Sequence, residues 1–500
     1  MSNSDPSQGI FSATGIEGLD HILAGGFTAN RIYLIEGNPG AGKTTLAMNY
    51  LLEGARLGET GLYVTLSETR EELAAVAQSH GWSLEQIDVV ELVASEEDLT
   101  PGSQYTMYHP SETELAETTK AILDAVERVK PRRVVLDSLS ELRLLAQNPL
   151  RYRRQVLALK QFFAGRNCTV LLLDDHTSDQ SDLQLRSIAH GVVSLEQLSP
   201  EYGAERRRLR VVKLRGKSYR GGYHDFTIIK GGLDVFPRLI AAEHRQSFER
   251  QLMHSGIAQL DQLLGGGLDR GTSTLIMGPA GTGKSSVAMQ YMMAAAVRGE
   301  SVALFAFDES LGTLMARSTA LGMDLQPQID AGRIIVQQVD PAELAPGEFV
   351  HVVRQRVEQQ QCSLILIDSL NGYLHSMPEE RFLTIQLHEL LTYLAQKGVT
   401  TLLVVAQHGL IGTAMESPVD VSYLADSVIL TRYFEDNGRV KKAISVVKKR
   451  SGPHEETIRE LQMSERGLHV GEPLEHLRGV LGGSPAPVNE QNAPPNRRSE

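Results

Sequence analysis

The feature that most constrains the fold of this 500-residue chain is that its second half repeats its first. The segments Gly15–Phe27 and Gly256–Leu268 share the pattern Gly-Ile-x-x-Leu-Asp-x-x-Leu-x-Gly-Gly. These segments are 241 residues apart, and the same offset relates two further pairs, Gly37 with Gly278 and Lys43 with Lys284. Solenoid repeats are much shorter, at about 20–50 residues. The sequence therefore predicts two copies of one domain.

Each half of the sequence alternates between short apolar strands and helical stretches. The predicted strands are 31–36, 61–66, 133–137 and 169–173 in the first half, and 273–277, 302–307, 364–368 and 401–406 in the second. Apolar strands separated by helices are typical of parallel sheets that are covered on both faces. Each half closes with strands of more antiparallel character, at 208–213 and 443–448. The predicted fold class is α/β, with two tandem P-loop domains of mainly parallel sheets flanked by helices.

The domain boundary is predicted between residues 235 and 250, where Asp234-Val-Phe-Pro ends the first repeat. The first domain is assigned to residues 1–240 and the second to residues 241–481. The segment 482–500 is rich in Pro, Asn, Ser and Arg, and this composition predicts a disordered tail.

Two glycine-rich loops in register match the phosphate-binding pattern G-x-x-x-x-G-K-[ST]. The predicted ATP-binding residues of the first loop are Gly37, Asn38, Pro39, Gly40, Ala41, Gly42, Lys43, Thr44 and Thr45. Those of the second loop are Gly278, Pro279, Ala280, Gly281, Thr282, Gly283, Lys284, Ser285 and Ser286. In such a loop, backbone N–H groups and the positive end of the next helix face phosphate oxygens. The lysine reaches the β- and γ-phosphates, so we expect ATP at both loops rather than ligand-free glycine turns.

Each half also offers a hydroxyl and a carboxylate for a metal ion. Thr44 and Ser285 follow the loop lysines and are predicted to ligate Mg²⁺. Asp137 and Asp368 each end an apolar strand, at the sheet edge where α/β folds bind ligands, and could hold the ion through water. The alternative for either aspartate is a helix N-cap. The expected cofactors are therefore ATP and Mg²⁺.

Hydrolysis also needs a group that orients or deprotonates the attacking water. The strand after each P-loop helix ends in acids, which are Glu68 in the first half and Asp308 with Glu309 in the second. We expect these acids to act as bases near the γ-phosphate, and the alternative is a surface acid that caps the following helix. Because one half has one carboxylate and the other has two, the two turnover rates are expected to differ.

The composition argues against several classes of protein. A net charge of −12 disfavours broad binding to nucleic acid or to anionic membranes. No apolar run approaches membrane-spanning length, and the N-terminus lacks the features of a signal peptide, so we expect a cytoplasmic protein without a membrane partner. Cys168 and Cys362 each open an apolar run and are expected to be buried at strand starts, since neither metal-ligand spacing nor a disulfide framework is visible.

Together these motifs resemble those of the KaiC family, the two-domain RecA-like ATPases of the cyanobacterial clock. The resemblance rests on the doubled P-loop, the Gly-Ile-x-x-Leu-Asp motif, the acids after the second strand and the segment Lys213-Leu-Arg-Gly216. It extends from about Gly15 to Pro485. P-loops occur in many families, whereas the other motifs are much narrower. The resemblance implies two RecA-like domains and a double-ring homohexamer that binds ATP between neighbouring subunits.

The resemblance also implies a basic strand that acts across the subunit boundary. In the family a Lys-x-Arg strand reaches the neighbour's γ-phosphate, and the matching residues are Lys213, Arg215, Lys448 and Arg450. Cations supplied in trans stabilise charge on a transferring phosphoryl group, as arginine fingers do. The alternative is that these residues are ordinary exposed cations of a strand.

The second domain of the family also transfers phosphate to its own serine and threonine residues. Ser422 matches the family's phosphorylated serine, whereas Tyr423 replaces the neighbouring threonine. The resemblance thus implies autophosphorylation at Ser422, with Asp308 and Glu309 as the base for the hydroxyl. The tyrosine argues against a two-site Ser/Thr cycle.

Three functions are compatible with these residues. The first is an ATPase and Ser/Thr autokinase that acts as a signalling or clock-type switch. The second is a RecA- or helicase-like motor on nucleic acid, which the net charge and the lack of a basic, aromatic loop disfavour. The third is an ATP-assembled scaffold that presents its surface to signalling proteins.

Gln407 and His408 are expected where a RecA-like protein senses the γ-phosphate, and a structural role is the alternative for His408.

Overall fold

The computed structural model describes residues 11–92, 110–175, 182–249, 251–375, 383–407, 423–482 and 486–487. The chain divides into two compact units, Met1–Arg238 and Leu239–Glu500.

The first unit alternates strands and helices through most of its length. Its strands are β1 (Phe11–Ser12), β2 (Phe27–Thr28), β3 (Ile32–Gly37), β4 (Gly61–Thr65), β5 (Ile87–Glu91), β6 (Arg133–Asp137), β7 (Thr169–Asp175), β8 (Gly191–Leu198), β9 (Arg206–Leu214), β10 (His224–Ile229) and β11 (Gly232–Phe236). Its helices are α1 (Glu17–Ile22), α2 (Lys43–Arg56), α3 (Arg70–His80), α4 (Pro110–Val129), α5 (Leu139–Ala146), α6 (Pro149–Phe163) and α7 (Asp182–Ile188).

The main sheet of the first unit has nine strands in the order β11-β10-β9-β8-β3-β7-β6-β4-β5. The strands from β8 to β5 in this order run parallel to one another. The strands β9, β10 and β11 extend the sheet in antiparallel fashion. All parallel strands therefore end at one edge of the sheet, where the first phosphate loop also begins.

Both faces of this sheet are buried in separate hydrophobic cores. On β3, Tyr33 and Ile35 belong to one core, whereas Ile32 and Leu34 belong to the other. Successive side chains of a strand point to opposite faces, so a strand covered on both sides must be apolar throughout. This explains why the central strands appear in the sequence as continuous apolar runs rather than as alternating patterns.

The second unit repeats the arrangement. Its strands are β12 (Leu252–Met253), β13 (Leu268–Asp269), β14 (Ser273–Gly278), β15 (Val302–Ala306), β16 (Ile334–Gln338), β17 (Leu364–Asp368), β18 (Thr400–Ala406), β19 (Ser427–Asp436), β20 (Arg439–Lys449), β21 (Arg459–Ser464), β22 (Gly467–Pro473), β23 (Leu477–Arg478) and β24 (Ala486–Pro487). Its helices are α8 (Ala258–Leu263), α9 (Lys284–Val297), α10 (Leu311–Ala320), α11 (Gln326–Asp330), α12 (Pro346–Glu358), α13 (Leu370–His375) and α14 (Leu383–Gln396).

The sheet of the second unit has the order β16-β15-β17-β18-β14-β19-β20-β21-β22, which is the same topology as the first. Its strands from β16 to β19 are parallel, and β20, β21 and β22 are antiparallel. The predicted fold class, two tandem RecA-like α/β domains with mainly parallel sheets, is confirmed.

Some details differ from the sequence prediction or add to it. The edge strands β5 and β16 were not predicted, and β7 runs two residues further than expected, to Asp175. Cys168 and Cys362 are free and buried just before β7 and β17, as expected. Within the predicted tail, Ala486–Pro487 pairs with Leu477–Arg478, and residues 483–485 and 488–500 lie outside the described residues.

Candidate nucleotide sites

Both phosphate loops have the backbone geometry that anion binding requires. In each unit a central strand ends at the first glycine of the loop, and a long helix begins at its lysine, Lys43 in α2 and Lys284 in α9. The residues before these helices, Gly42 and Gly283, have φ angles of 98° and 99°, in the left-handed region that favours glycine. Neither helix has an acidic residue in its first turn, so its positive end remains available for a phosphate.

The first loop lysine is part of an ion pair. Lys43 Nζ donates to the backbone oxygens of Gly37 at 2.8 Å and Asn38 at 3.0 Å, and it lies 2.7 Å from Asp175 Oδ1. Asp175 is the last residue of β7 and is paired in register with Gly37. The predicted strand ended at residue 173, so sequence reasoning did not single out this acid.

The second loop lysine has different surroundings. Lys284 Nζ donates to the backbone oxygen of Pro279 at 2.7 Å, and no carboxylate of the described residues forms an ion pair with it. Burial lowers the pKa of Lys284 to about 8, although the charge of Asp368 acts in the opposite direction. The residue in register with Gly278 is Ala406, which takes the place that an aspartate has in the first unit.

The structure brings the predicted hydroxyl and carboxylate ligands together in both units. Thr44 Oγ1 donates to Asp137 Oδ2 at 3.2 Å, and the Ser285 hydroxyl is near enough to Asp368 to lower the pKa of its carboxyl. Burial raises the pKa of both aspartates above the usual value, and the hydroxyl bonds oppose that shift. A hydroxyl beside a carboxylate at a phosphate loop fits Mg²⁺, which prefers oxygen ligands and shares its coordination with the phosphates of the substrate. The N-cap of α5 is Ser138 rather than Asp137.

Asp137 has a further partner that sequence reasoning missed. The phenol of Tyr63, on the neighbouring strand β4, donates to Asp137 Oδ2. Burial raises the pKa of Tyr63 well above its ordinary value, and the charge of Asp137 adds to the shift. Tyr63 therefore keeps its proton and fixes the orientation of the carboxylate.

The single predicted base of the first unit, Glu68, follows β4 close to this group. Burial raises its pKa, and the charge of Asp137 is the next cause. Its Oε2 atom is buried and has no hydrogen-bond partner among the residues that the structure describes. The N-caps of the helices after the two acid segments are Thr69 and Ser310, so none of the predicted acids caps a helix.

The two acids of the second unit have different partners. Asp308 is exposed, and its Oδ2 accepts a hydrogen bond from Ser369 Oγ, next to the strand end at β17. Glu309 forms an ion pair with Arg317 at 2.6 Å. Arg317 also lies 3.5 Å from Ser286 Oγ, at the start of the P-loop helix, and so links the acid to the phosphate loop.

The first predicted basic strand, β9, contacts the segment that leads into β8. Lys213 Nζ donates to the backbone oxygen of Arg186, and Arg215 Nη2 donates to that of Ser187 at 2.9 Å. Burial lowers the pKa of Lys213, and the neighbouring Arg215 adds to the effect. The guanidinium of Arg215 is on an exposed residue, where it is open to another molecule.

The second basic strand, β20, makes the same kind of contact. Lys448 Nζ donates to the backbone oxygen of Ala425 at 2.7 Å, and Arg450 Nη2 donates to that of Tyr423 at 2.8 Å. Arg450 is exposed and also lies 3.7 Å from Asp426 Oδ1. The two units thus hold their basic pairs in the same way.

Three remaining predictions concern the end of β18 and the following segment. Gln407 donates its backbone N–H to the oxygen of Gly278 at 3.0 Å, which places it beside the second phosphate loop. Its Oε1 atom is buried and has no partner within the described part of the chain. His408 and Ser422 lie outside the described residues.

Comparison with known families agrees with this doubled architecture. A family model described as the KaiC ATPase matches residues 12–240 and matches again at residues 253–475. Each match includes one complete phosphate loop, and the two matches together cover most of the chain. The chain belongs to the KaiC family of ATPases. Membership of this family makes it an ATP-using P-loop protein.

Similar KaiC proteins align with the chain over nearly all of its length. The "Circadian clock protein KaiC3" of Synechocystis is 27% identical over 483 residues, which are 94% of this chain and 94% of the relative. The "Circadian clock oscillator protein KaiC" of Parathermosynechococcus lividus is 27% identical, over 95% of this chain and 88% of its own. The protein of that name from Synechococcus elongatus is 27% identical over 95% and 92%. None of the helices in the described ranges is long and apolar enough to cross a membrane.

Proposed function

We propose that this KaiC-family chain is a nucleotide-dependent switch that hydrolyses ATP and phosphorylates its own second domain. The observation that carries the proposal is the grouping of a lysine, a hydroxyl and acids at each phosphate loop. In the first unit these residues are Lys43, Thr44, Asp137 and Glu68. The clock-type role is carried over from relatives whose names describe circadian clock proteins.

In the first domain, different residues bind the nucleotide and move the proton. The loop amides and Lys43 bind the phosphates, while Thr44 and Asp137 would hold Mg²⁺, which when bound would supply positive charge to the phosphates. Glu68 accepts a proton from the attacking water. Its raised pKa suits this role, because a general base works best when its pKa lies near the working pH.

In the second domain, we propose that the serine hydroxyl of Ser422 competes with water for the γ-phosphate. The Ser422 oxygen attacks phosphorus, the bond to the β,γ-bridging oxygen breaks, ADP leaves, and the acids Asp308 and Glu309 take the hydroxyl proton. Arg450, which the family resemblance assigns to a neighbour's γ-phosphate, is bonded to Tyr423, the residue that follows Ser422.

Ring assembly forms part of this proposal. The resemblance implies a homohexamer, and the exposed Arg215 and Arg450 would then complete the sites of neighbouring subunits. Both guanidinium groups are held by backbone oxygens at 2.9 Å and 2.8 Å, so their positions are fixed before any phosphate arrives. Charge that is placed in advance stabilises a phosphoryl transition state without reorganisation at the moment of reaction.

Intact mass spectrometry with and without ATP and Mg²⁺ tests the proposal, because it reports assembly and phosphate addition together. We expect a hexamer that depends on nucleotide and one added phosphate, which is lost in Ser422→Ala. Ser417→Ala, in the same segment, is the matched control and should keep the phosphate. ATP consumption with no phosphate on the protein would remove the kinase step and leave an ATPase.

A further inference from the structure

We propose that Asp175 lowers the affinity of the first site for ATP relative to ADP. Its carboxylate neutralises the positive charge of Lys43, which the γ-phosphate would otherwise use. This inference rests on the proposed nucleotide binding and assigns a role to a residue that is part of neither predicted site. In the described part of the second unit no carboxylate pairs with Lys284, so the two sites should differ in nucleotide preference although their loops have the same backbone geometry.

The Asp175 carboxylate is held in place from both sides. Its Oδ1 lies 2.7 Å from Lys43 Nζ, and its Oδ2 accepts a hydrogen bond of 3.2 Å from Ser140 Oγ. The same Ser140 oxygen accepts the backbone N–H of Asp175 at 3.2 Å. The exposed fraction is 8% for the lysine side chain and 33% for the aspartate side chain, so water screens this pair only in part.

In the second unit a polar side chain also bonds to the last residue of the equivalent strand, but that residue is Ala406 and carries no charge. Asn371 replaces Ser140, and its side-chain oxygen accepts the N–H of Ala406 at 2.8 Å while its amide donates to the Ala406 oxygen at 3.0 Å. The end of the strand is thus fixed in both units. Among the residues that the structure describes, only the first unit adds a carboxylate that forms an ion pair with the loop lysine.

The neighbouring positions show the same divergence between the units. In the first unit Glu36 and Asp174 are adjacent across β3 and β7, with Arg186 paired to Glu36 at 2.7 Å. In the second unit the equivalent adjacent residues are Met277 and Val405. The strand ends behind the first loop are therefore charged, and those behind the second loop are apolar.

The preference follows from electrostatics at the loop lysine. A γ-phosphate brings additional negative charge to Lys43, so Asp175 must either give up its ion pair or remain beside a like charge. Either outcome weakens binding of the triphosphate. A diphosphate lacks this group and avoids most of the cost, so the ratio of the two affinities shifts toward ADP.

The test compares nucleotide affinities of the full chain in a Lys284→Ala background, in which binding reports on the first site. Fluorescent mant-ADP and the mant derivative of the non-hydrolysable ATP analogue AMP-PNP are titrated in the presence of Mg²⁺. We expect Asp175→Ala and Asp175→Asn to raise the preference for AMP-PNP over ADP by about tenfold, which corresponds to about 1.4 kcal/mol. Asp234→Asn removes one exposed negative charge from the same unit and should leave the ratio unchanged.

The reciprocal change strengthens the test. Ala406→Asp in a Lys43→Ala background should lower the preference of the second site for AMP-PNP. Asp175→Asn preserves the size of the side chain. If it left the ratio of AMP-PNP to ADP affinity unchanged, this inference would be overturned and the proposed function would still stand. If the Lys284→Ala protein bound neither nucleotide, the proposed function of the first site would fail and this inference with it.

Discussion

The two nucleotide sites share one backbone and differ in the charges around it. Both loops enter their helix through a left-handed glycine, and both place a hydroxyl against an aspartate at a strand end. In the first site the lysine is paired with Asp175, and Glu68 is the single predicted base. In the second site Lys284 is bound to a backbone oxygen, and Arg317 pairs with Glu309.

The two units thus share the loop geometry that binds phosphates in general. They differ in the charged residues that a γ-phosphate would meet at the loop lysine. Loop geometry depends on glycine and on the helix end, so it tolerates little change. The residues at the ends of neighbouring strands contribute charge without supporting the loop, so they can diverge. We therefore expect the two sites to differ in affinity and rate rather than in the ligand they bind.

The largest effect is expected on removing the loop lysines. Lys43→Ala and Lys284→Ala should each lower hydrolysis at their own site by about 10²–10³-fold, which is the size of one well-placed positive donor. The loss of ATP affinity should be greater in Lys284→Ala, because Asp175 already neutralises Lys43 in the wild type. Phosphate release and nucleotide titration measure the two quantities. Lys230→Ala, at an exposed position of the first unit, is the control and should change neither.

The predicted bases should show the next largest effect. Glu68→Gln should lower first-site hydrolysis about 10²-fold with little change in affinity, because it removes proton transfer and keeps the shape of the side chain. Asp308→Asn should have a smaller effect on the second site, since Glu309 remains. Single-turnover hydrolysis in the Lys284→Ala or Lys43→Ala background separates the sites. Equal losses in both variants would contradict the idea that the second site has a reserve acid.

The comparison also extends to stability in acid. His224 opens β10 and pairs with Leu209, and Arg459 opens β21 and pairs with Ile444. Burial lowers the pKa of His224 to about 4. Its Nδ1 accepts the N–H of Arg238 at 2.9 Å, which requires the neutral ring.

Because its pKa is lower in the folded state, His224 takes up a proton more readily when the chain unfolds. Stability of the first unit should therefore fall as the pH drops from about 6.5 toward 4, by about 2 kcal/mol at pH 5. Trp82, the single tryptophan, packs on a core of the first unit and reports its unfolding in urea. His224→Gln should reduce the loss between pH 7.5 and pH 5. His469→Gln, an exposed residue of the second unit, should not alter that loss.

The sequence predicted the backbone of both sites and part of their chemistry. The P-loops could be recognised because each follows an apolar strand and matches a motif of fixed short spacing. Asp137 and Asp368 could be recognised because each ends an apolar strand. The edge strands β5 and β16 were missed because an edge strand is only partly buried and includes polar residues, as Asp88 and Gln337 show.

Contacts between distant parts of the chain could not be predicted in the same way. Tyr63 reaches Asp137 across two adjacent strands, and nothing in an apolar strand distinguishes a tyrosine that orients a carboxylate from one that fills a core. Asp175 did leave a signal in the sequence. Alignment of the two halves sets Asp175 against Ala406, and a charge beside an apolar counterpart indicates a site that has diverged.

The smallest expected effect concerns the Gly-Ile-x-x-Leu-Asp motif, where the two units are most alike. Asp20 accepts backbone N–H groups from Thr14 at 2.8 Å and Gly15 at 3.3 Å, and Asp261 accepts that of Ser255 at 2.8 Å. A side chain that reaches back to amides before its helix fixes how the chain enters that helix. The aspartate is therefore expected to act on stability rather than on nucleotide binding.

Asp20→Ala should destabilise the first unit by about 1–2 kcal/mol, since a hydrogen bond to a charged group contributes about that much and its amides lose their acceptor. Asp261→Ala should have a similar or slightly smaller effect on the second unit. Calorimetry measures the unfolding of both units, and the fluorescence of Trp82 identifies the unfolding transition of the first unit. Asp20→Asn retains one oxygen acceptor and should recover part of the loss, whereas equal destabilisation by Asn and Ala would show that the charge, not the hydrogen bond, stabilises the turn. Nucleotide affinity should be unchanged in all three variants, because the carboxylate makes its bonds to the backbone before α1 and α8 and not to the phosphate loop.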